Sequence, residues 1–278
     1  MVKLIAIDLD GTLLRNDQQY DQIRFRNIVK KLYNKGIIVA IATGNSFLQS
    51  LYYIDDETIP NLYFVTDNGN TIGKAYDLFH VNSLDREIAR KVINDISKSK
   101  DFYTQVNTDK RLYLFKSEDS IFEELAKVFN NLVEIDSFED IPKDEEIILV
   151  ALATVKRRKD VYDVSVKLQE KYPQLHISQS GPDWIDVFSK DGGKHICLKY
   201  LQDKYNIDIK DTMTFGDSNN DLSMMKLAKY SIAMQESSDG LLEIAKYQIG
   251  SNNDSAVIKL LEEIDENSDM DFMEKYKI

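Results

Sequence analysis

A chain of 278 residues can form one large domain or two of ordinary size, and its 43% apolar residues can form a sizeable core. The 35 basic and 47 acidic residues give a net charge of −12, which disfavours nucleic acid and anionic membranes as partners. An anionic substrate would therefore need a local positive charge, and a bound divalent cation would supply one.

The sequence contains a single cysteine, Cys197, so an intramolecular disulfide and a cysteine-based zinc site are both excluded. Its apolar helical surroundings predict a small core residue. The segment before Asp8 lacks the pattern of a signal peptide, and no apolar run approaches the roughly 18 residues of a membrane span. We therefore expect a cytoplasmic protein that has no membrane partner.

The first stretch that carries chemistry is a short apolar run that ends in two acids. Leu4 to Ile7 has the length and β-branching of a buried strand, and Asp8, Asp10 and Gly11 follow it. Side chains two apart on an extended chain face the same way, so the two carboxylates are expected to converge and to repel each other without a cation. A hard ion such as Mg²⁺ meets that need. The alternative is a strand end with two solvated acids.

After this strand the chain alternates between helical and strand-like segments. The strand-like segments are unbroken apolar runs, which is typical of strands buried on both faces of a parallel sheet. The predicted elements are a helix over 17–34, a strand over 37–42, a helix that begins at Phe47 and a strand over 62–65. This βαβαβ order predicts an α/β fold with a doubly wound parallel sheet.

Small polar residues follow each of these strands. Thr43 and Gly44 come after the second strand, and residues 66–69 come after the third. Because ligands of doubly wound sheets bind beyond the carboxyl ends of the strands, these residues are predicted to form one rim. A hydroxyl and a backbone N–H at a helix start can cradle an anion, but simple N-capping by Thr43 or Ser46 would explain the same residues.

From about residue 83 the pattern changes to strands with helices between them, which is typical of an α+β unit. We predict an inserted domain over 83–186, flanked by the two parts of a core domain at 1–82 and 187–278. The predicted helices of the insertion cover 85–97, 121–131 and 161–172, and its predicted strands cover 102–106, 111–115, 147–153, 176–180 and 184–188. The basic run 156–159 is interpreted as a solvated face, with an anion patch as the alternative.

Two further motifs lie in the last third of the chain. Lys194 stands at the start of a predicted helix, where a lysine opposes the helix dipole; a bound phosphate would resolve this conflict, and a plain surface lysine is the alternative. A strand from Met213 ends at Gly216, and Asp217 and Asp221 follow four residues apart, where a polar turn is the alternative. A strand over 231–234, a helix over 257–264 and a loose or edge-docked tail from residue 265 are also predicted.

These motifs occur together and in order, and the sequence thereby resembles the haloacid dehalogenase-like phosphatases. The matches are Asp8-Leu9-Asp10-Gly11-Thr12 to the first motif of that family, Thr43 to the second, Lys194 to the third, and Gly216-Asp217 with Asp221 to the fourth. The insertion between the second and third motifs, and the wording Ser-Gly-Pro-Asp at 180–183, resemble the Cof-type branch with the larger cap, subfamily IIB. Within that branch the sequence looks closest to the sugar-phosphatase group.

The resemblance implies a Mg²⁺-dependent phosphatase of small phosphorylated metabolites, sugar phosphates above all, with a Rossmann-like core and an α+β cap over its cleft. It implies that Asp8 is the nucleophile that forms an aspartyl-phosphate and that Asp10 is the acid and base, with Thr43 and Lys194 completing the catalytic set. The implied Mg²⁺ ligands are Asp8, the backbone carbonyl of Asp10, Asp217 and Asp221. The implied phosphate-binding residues are Leu9, Thr43, Gly44, Lys194 and Asn220.

One residue departs from the family pattern. The second motif often reads Thr-Gly-Arg, whereas this chain has Asn45 after Thr43 and Gly44. The change removes a cationic contact to the substrate and leaves the threonine in place, so it bears on substrate preference more than on the chemistry. Two alternatives stay open: a phosphomutase of the same superfamily, and a non-catalytic metabolite-binding regulatory module on this fold. We expect a monomer or a weak homo-oligomer.

Overall fold

Apolar runs of this chain form two β-sheets with helices packed against them. The computed structural model describes residues 1–96, 101–117, 121–127, 129, 131–155, 161–180 and 183–278. The chain divides into two compact units, Met1–Phe79 with Gly193–Ile278 and His80–Gly192, and the predicted insertion over 83–186 falls within the second unit. Within the described ranges, no helix combines the length and the apolar character that a membrane span requires.

The strands are, in chain order, β1 (Leu4–Ile7), β2 (Ile38–Ala42), β3 (Leu62–Thr66), β4 (Thr71–Lys74), β5 (Asp77–Val81), β6 (Phe102–Thr108), β7 (Leu112–Phe115), β8 (Leu132–Ile135), β9 (Ile147–Thr154), β10 (Leu175–Gln179), β11 (Trp184–Ser189), β12 (Thr212–Gly216), β13 (Tyr230–Ala233) and β14 (Tyr247–Gln248). The α-helices are α1 (Gln22–Asn34), α2 (Phe47–Tyr53), α3 (Arg86–Ile96), α4 (Phe122–Leu125), α5 (Val161–Lys171), α6 (Lys194–Tyr205), α7 (Leu222–Met225), α8 (Asp239–Leu242) and α9 (Ala256–Glu266).

The first sheet has the strand order β14-β13-β12-β1-β2-β3-β4-β5. Every pairing from β14 to β3 is parallel, and β4 then pairs antiparallel with β3. Strand β1 lies between β12 and β2, with Ile7 in register with Phe215 on one side and Ile41 on the other. The prediction of an α/β fold with a doubly wound parallel sheet is confirmed, with an antiparallel pairing added beyond β3.

Alternate residues of β1 pack on opposite faces of this sheet. Ile5 and Ile7 belong to the apolar cluster that includes α1 and α9, whereas Leu4 and Ala6 belong to the cluster that includes α6. Cys197 of α6 is fully buried in the second cluster, and burial raises the pKa of its thiol to about 12. The predicted role of Cys197 as a core residue is therefore confirmed.

The second unit contains a six-stranded sheet with the order β10-β11-β9-β6-β7-β8. Its pairings are antiparallel except that of β7 with β8, and β6 and β7 form the hairpin that the sequence predicted. Helices α3 and α5 contribute to one apolar cluster with β6, β9 and β11. This combination of an antiparallel-rich sheet and packed helices is the α+β architecture predicted for the insertion.

The first helix begins later than predicted, at Gln22 instead of residue 17. Asp21 caps it, because the Asp21 carboxylate accepts a hydrogen bond of 3.1 Å from the N–H of Arg24. The preceding residues form a turn in which the N–H of Arg15 donates to the carbonyl of Gln19 and Gln18 has a φ of 60°. A helical pattern of apolar residues does not reveal this turn, since polar residues 16–19 fit a turn or a helix face equally.

Short elements account for the other differences. Strands β4, β5, β8 and β14 were not predicted, and each is only two to five residues long. Helix α4 is shorter than the predicted 121–131, and residues 128 and 130 of that prediction lie outside the described part of the chain. The basic run 156–159 and residues 181–182 of the Cof-type wording also lie outside it.

The C-terminal tail is docked at an edge of the first sheet. Lys277 forms an isolated antiparallel bridge with Tyr247 of β14, and the N–H of Ile278 donates to the carbonyl of Lys246 at 3.2 Å. The tail also carries a 3₁₀ helix over Asp271–Tyr276 that buries Met273. Of the two predicted alternatives, a loose or an edge-docked tail, the docked one is present.

The turn between β3 and β4 lies against the start of α6. Asp67, Asn68 and Gly69 all have positive φ, at 52°, 53° and 81°. A Cβ at Gly69 would lie 2.3 Å from the carbonyl carbon of Gly193, so only glycine allows this approach. The turn is also tied to the end of β2, because the N–H of Asn68 donates to the carbonyl of Thr43 at 3.1 Å. It thus relates two of the predicted site segments to each other.

We predict that Gly69→Ala lowers the free energy of unfolding by about 3 kcal/mol or more, since the new methyl group meets backbone and the left-handed conformation is itself unfavourable. Gly36→Ala is the matched control, because Gly36 has a φ of +76° but a Cβ there would meet no described atom within 4 Å. Its expected cost is about 1 kcal/mol. Urea unfolding of both variants tests this, and equal losses would contradict the proposed close packing.

Candidate active site

Two acids stand at the same edge of the first sheet because adjacent parallel strands end there. Asp8 directly follows β1 and Asp217 directly follows β12, and the N–H of Asp8 donates to the carbonyl of Phe215 at 3.1 Å. Gly11 turns the chain with a φ of +75°, and a Cβ there would lie 2.6 Å from Oδ2 of Asp217. The hydroxyl of Thr12 donates to Oδ1 of Asp217 at 3.3 Å.

Asp221 lies beneath the turn that follows β12 and is fully buried. Its Oδ2 accepts hydrogen bonds from the N–H groups of Asp217 and Ser218, at 3.1 and 3.2 Å. A Cβ at Gly216 would lie 2.6 Å from Cγ of Asp221, so a glycine at the end of β12 makes room for this carboxyl. Asp217 and Asp221, which are four residues apart, therefore lie in one turn that folds back on itself, and their two acidic side chains are on the same side of that turn.

Lys194 is the first residue of α6 and only 2% exposed. Its Nζ donates to Oδ1 of Asp8 at 2.7 Å and to Oδ1 of Asp221 at 2.6 Å. Burial alone would lower the pKa of this ammonium, but the carboxylates of Asp221 and Asp8 outweigh burial and raise it. The lysine is therefore charged, and its carboxylate partners explain why it tolerates the start of a helix. It is not the surface lysine that was the alternative.

Asp8, Asp217 and Asp221 form a compact acidic cluster in which one oxygen from each lies within 4.8 Å of the others. The cluster brings these three carboxylates together beside the ammonium of Lys194. Burial and the charge of Asp221 raise the pKa of Asp8 well above its usual range, and the same two causes raise the pKa of Asp217 to about 6. The cluster offers hard oxygen ligands and an excess of negative charge. Both suit a divalent cation such as Mg²⁺, so these residues could hold one.

Asp10 does not join this cluster. Its side chain is exposed, and Nδ2 of Asn45 donates to its Oδ2 at 2.9 Å. Nearby protein atoms desolvate the carboxyl and raise its pKa, against the opposing effect of the Asn45 hydrogen bond. The carboxylate of Asp8 thus lies in the acidic cluster with Lys194, whereas that of Asp10 is held by Asn45 outside it, beyond the end of β1 at Ile7.

Thr43 lies buried at the end of β2. Its Oγ1 accepts hydrogen bonds from the backbone N–H and from Nδ2 of Asn45, at 3.1 and 3.2 Å. The N-cap of α2 is Ser46, whose side chain accepts from the N–H of Gln49 at 3.2 Å. Capping by Ser46 was one of the open alternatives and is correct. Thr43 does not cap α2, and its hydroxyl oxygen accepts from Asn45 instead.

The remaining predicted site residues lie around the same strand ends. Nδ2 of Asn220 donates to Oδ1 of Asn68 at 3.2 Å, and a Cβ at Gly44 would lie 3.1 Å from that oxygen. Leu9 is buried, and its carbonyl accepts from the N–H of Leu14 at 2.8 Å, which closes the turn after β1. The turns after β1, β2, β3 and β12 therefore share one rim, as the polar strand ends predicted.

Three contacts in this rim were not predicted from the sequence. Thr12 holds Asp217, Asn68 holds Asn220, and Asn45 holds Asp10. Thr12 and Asn68 lie in polar segments that follow predicted strands, so the sequence indicated that both residues belong to the rim. Asn45 was noticed only as a departure from the family pattern, and its partner lies 35 residues away in the chain.

Comparison with known proteins gives the same family as the motifs. Residues 5–261 match the family model for haloacid dehalogenase-like hydrolases. The chain is 30% identical to a Bacillus subtilis 5-amino-6-(5-phospho-D-ribitylamino)uracil phosphatase, covering 95% of this chain and 98% of that protein. An Escherichia coli phosphatase with the same named substrate is 25% identical, covering 95% and 96%.

Solved structures of similar proteins share the whole fold. The protein SMU.1108c of Streptococcus mutans is 28% identical, with a TM-score of 0.87 over 96% of this chain and all of that one. A sugar phosphatase of haloacid dehalogenase subclass IIB has a TM-score of 0.74 at 19% identity, which shows the fold alone. The chain therefore belongs to the haloacid dehalogenase-like hydrolases, in their Cof-type branch and among the phosphatases of that family.

Proposed function

We propose that this protein is a Mg²⁺-dependent phosphatase that hydrolyses small phosphorylated metabolites, sugar phosphates above all, through an aspartyl-phosphate on Asp8. The observation that carries the proposal is the buried ammonium of Lys194, held between Asp8 and Asp221 beside Asp217. A carboxylate nucleophile, a fixed cation and further metal-binding oxygens thus lie at one strand end. Phosphoryl transfer needs mainly these parts, because its catalysis is largely positioning and charge stabilisation.

In the first step, Oδ2 or Oδ1 of Asp8 forms a bond to phosphorus while the bond from phosphorus to the ester oxygen breaks. The electron pair stays on the leaving oxygen, which takes a proton from the carboxyl of Asp10. Asp10 suits this task because its residue is exposed at the rim, where a substrate can reach it, and because the protein atoms around its carboxyl raise its pKa and so favour the protonated form. The Thr43 hydroxyl, the Gly44 N–H and the Lys194 ammonium would hold the phosphoryl oxygens, with Leu9 and Asn220 beside them.

In the second step, the Asp10 carboxylate accepts a proton from a water molecule as the water oxygen bonds to phosphorus. The bond between phosphorus and Asp8 breaks, inorganic phosphate leaves, and both carboxyl groups return to their starting forms. Asp8, Asp217, Asp221 and the carbonyl of Asp10 would hold Mg²⁺. When bound, that ion would offset the negative charge of the cluster and of the phosphate.

The substrate class follows from the relatives and from Asn45. The two curated relatives named above act on a phosphorylated ribityl compound, which is a sugar-alcohol phosphate. Asn45 is uncharged, so the second motif of this chain offers no cation beyond the transferred phosphate. We therefore propose substrates whose leaving group is a neutral polyol or sugar. We also propose, from the sequence, that the protein is cytoplasmic and a monomer or a weak homo-oligomer.

The Asp8→Asn variant is expected to lose phosphatase activity by more than about 10³-fold, because the amide cannot form the acyl-phosphate bond. The amide oxygen still accepts from Lys194, so the variant should remain folded. Release of p-nitrophenolate from p-nitrophenyl phosphate with Mg²⁺ measures the loss, and circular dichroism checks the fold. Asp208→Asn, at an exposed acid of the same unit, is the control and should keep wild-type activity. Full activity of Asp8→Asn would remove the nucleophile assignment.

Magnesium is expected to raise the melting temperature more at pH 8 than at pH 5. Asp217 has a pKa of about 6 in the metal-free fold, against about 3.9 in an unfolded chain. Between these values the folded state keeps a proton that the unfolded state has released, so metal-free stability falls as pH rises through this window. Above this pH window the cluster is ionised, and the ionised cluster is the form that binds Mg²⁺.

Thermal unfolding with and without Mg²⁺, at equal ionic strength, measures this effect. Asp217→Asn should diminish the gain at pH 8, since it removes one ligand and one repelling charge, whereas Asp208→Asn should preserve it. A Mg²⁺ gain that is the same at both pH values, or that survives Asp217→Asn unchanged, would show that the ion acts elsewhere.

A panel of phosphorylated metabolites should yield inorganic phosphate with Mg²⁺ present, most rapidly from sugar and sugar-alcohol phosphates. Free phosphate is the expected product because an exposed Asp10 can activate water once the leaving group has departed. The phosphate and the sugar products are both assayed, and 5-amino-6-(5-phospho-D-ribitylamino)uracil belongs in the panel because the relatives act on it. An isomerised sugar phosphate without free phosphate would indicate a phosphomutase, and tight binding without turnover would indicate a regulatory module.

A further inference from the structure

Asn45 connects two groups that the proposed function uses. Its Nδ2 donates to Oδ2 of Asp10 at 2.9 Å and to Oγ1 of Thr43 at 3.2 Å. The residue is half-buried, whereas Asp10 is exposed. A half-buried amide thus holds the carboxylate of an exposed residue.

The backbone of Asn45 is fixed on both sides. Its N–H donates to Oγ1 of Thr43 at 3.1 Å, and its carbonyl accepts from the N–H of Asp67 at 2.8 Å. The next residue, Ser46, caps α2. Because the end of β2, the turn after β3 and the start of α2 all constrain this backbone, the direction of the Asn45 side chain is set before any substrate binds.

An exposed aspartate does not normally keep one orientation. Exposed side chains change rotamer within picoseconds to nanoseconds. Proton transfer to a leaving oxygen needs a carboxyl within hydrogen-bond distance, and misplacement by about 1 Å costs roughly 10²-fold in rate. Hydrogen bonds from the side chains of Asn45 and Gln18 constrain the Asp10 carboxylate, and the bond from Asn45, at 2.9 Å, ties it to the end of β2.

We propose that Asn45 is a positioning residue, whose amide orients the Asp10 carboxyl toward the leaving oxygen of the substrate. This inference rests on the proposed function and extends it to a residue outside the acidic cluster. It assigns to Asn45 a role that does not require contact with the substrate. The asparagine at this position therefore supports the proton transfer, in addition to removing the cationic contact that an arginine would make.

If Asn45 orients Asp10, the loss of activity on removal of the Asn45 amide should depend on the leaving group of the ester. An aliphatic sugar oxygen leaves only if it receives a proton, whereas p-nitrophenolate leaves without one. In Asn45→Ala the Thr43 hydroxyl keeps its hydrogen bond from the backbone N–H of residue 45, so phosphate binding has no direct reason to change. The variant should therefore harm one class of ester far more than the other.

The experiment compares kcat/KM for the best sugar phosphate of the panel with kcat/KM for p-nitrophenyl phosphate, since this ratio reports the steps up to cleavage of the ester. For Asn45→Ala we expect a fall of about 10²-fold with the sugar phosphate and less than about threefold with p-nitrophenyl phosphate. Asn45→Leu, which keeps a similar volume but has no donor, should give the same split. Asn219→Ala, at an exposed amide of the rim, should change neither value.

A second readout follows the later step. Asp10 also activates water, so Asn45→Ala should release p-nitrophenolate in a burst before a slower steady rate. Equal falls with both esters in both variants, a rise in KM alone, or no change at all would each overturn the proposal. If the wild-type protein releases no phosphate from either ester, the proposed function fails first. A matching melting temperature separates these outcomes from loss of the fold.

Discussion

The site depends on one buried ammonium that two buried carboxylates share. Lys194 loses its hydration inside the protein, and Asp8 and Asp221 replace it with charged hydrogen bonds of 2.7 and 2.6 Å. Removing one partner of a buried ion pair typically costs about 3–5 kcal/mol, because the other charge is left without compensation. The end of β1, the turn after β12 and the start of α6 must therefore stay within hydrogen-bond distance for the fold to be stable.

Close backbone approach makes that distance attainable. At Gly11 and at Gly216, carboxyl atoms of Asp217 and Asp221 lie 2.6 Å from where a Cβ would stand. Any side chain at these positions would displace an acid of the cluster. The glycines near the two aspartates are thus explained by the space that the carboxyl groups occupy, and Gly11 additionally by its left-handed φ of +75°.

The strands beside the site could be predicted because apolar runs that end in small polar or acidic residues are a local signal. Asp8, Lys194, Asp217 and Asp221 each had another interpretation within their own motifs, and the order of the motifs together with the family resemblance predicted that they form one site. Strands β4 and β14 have two to four residues and gain their stability from pairing with a neighbouring strand, so their own sequences carry little information. The bond from Asn45 to Asp10 joins two loops, and only the tertiary fold decides that these side chains meet.

Asp8 and Asp10 show how surroundings separate two identical side chains. Asp8 is buried against Lys194 and two other acids, so its ionised form is disfavoured until more positive charge is present. Asp10 is exposed, and among the described residues no ammonium or guanidinium forms an ion pair with it. Its hydrogen-bond partners are the neutral amides of Asn45 and Gln18. In the proposed reaction, a cation bound at the cluster would favour the ionised form of Asp8, the nucleophile, while Asp10, whose side chain lies outside the cluster, would transfer the proton.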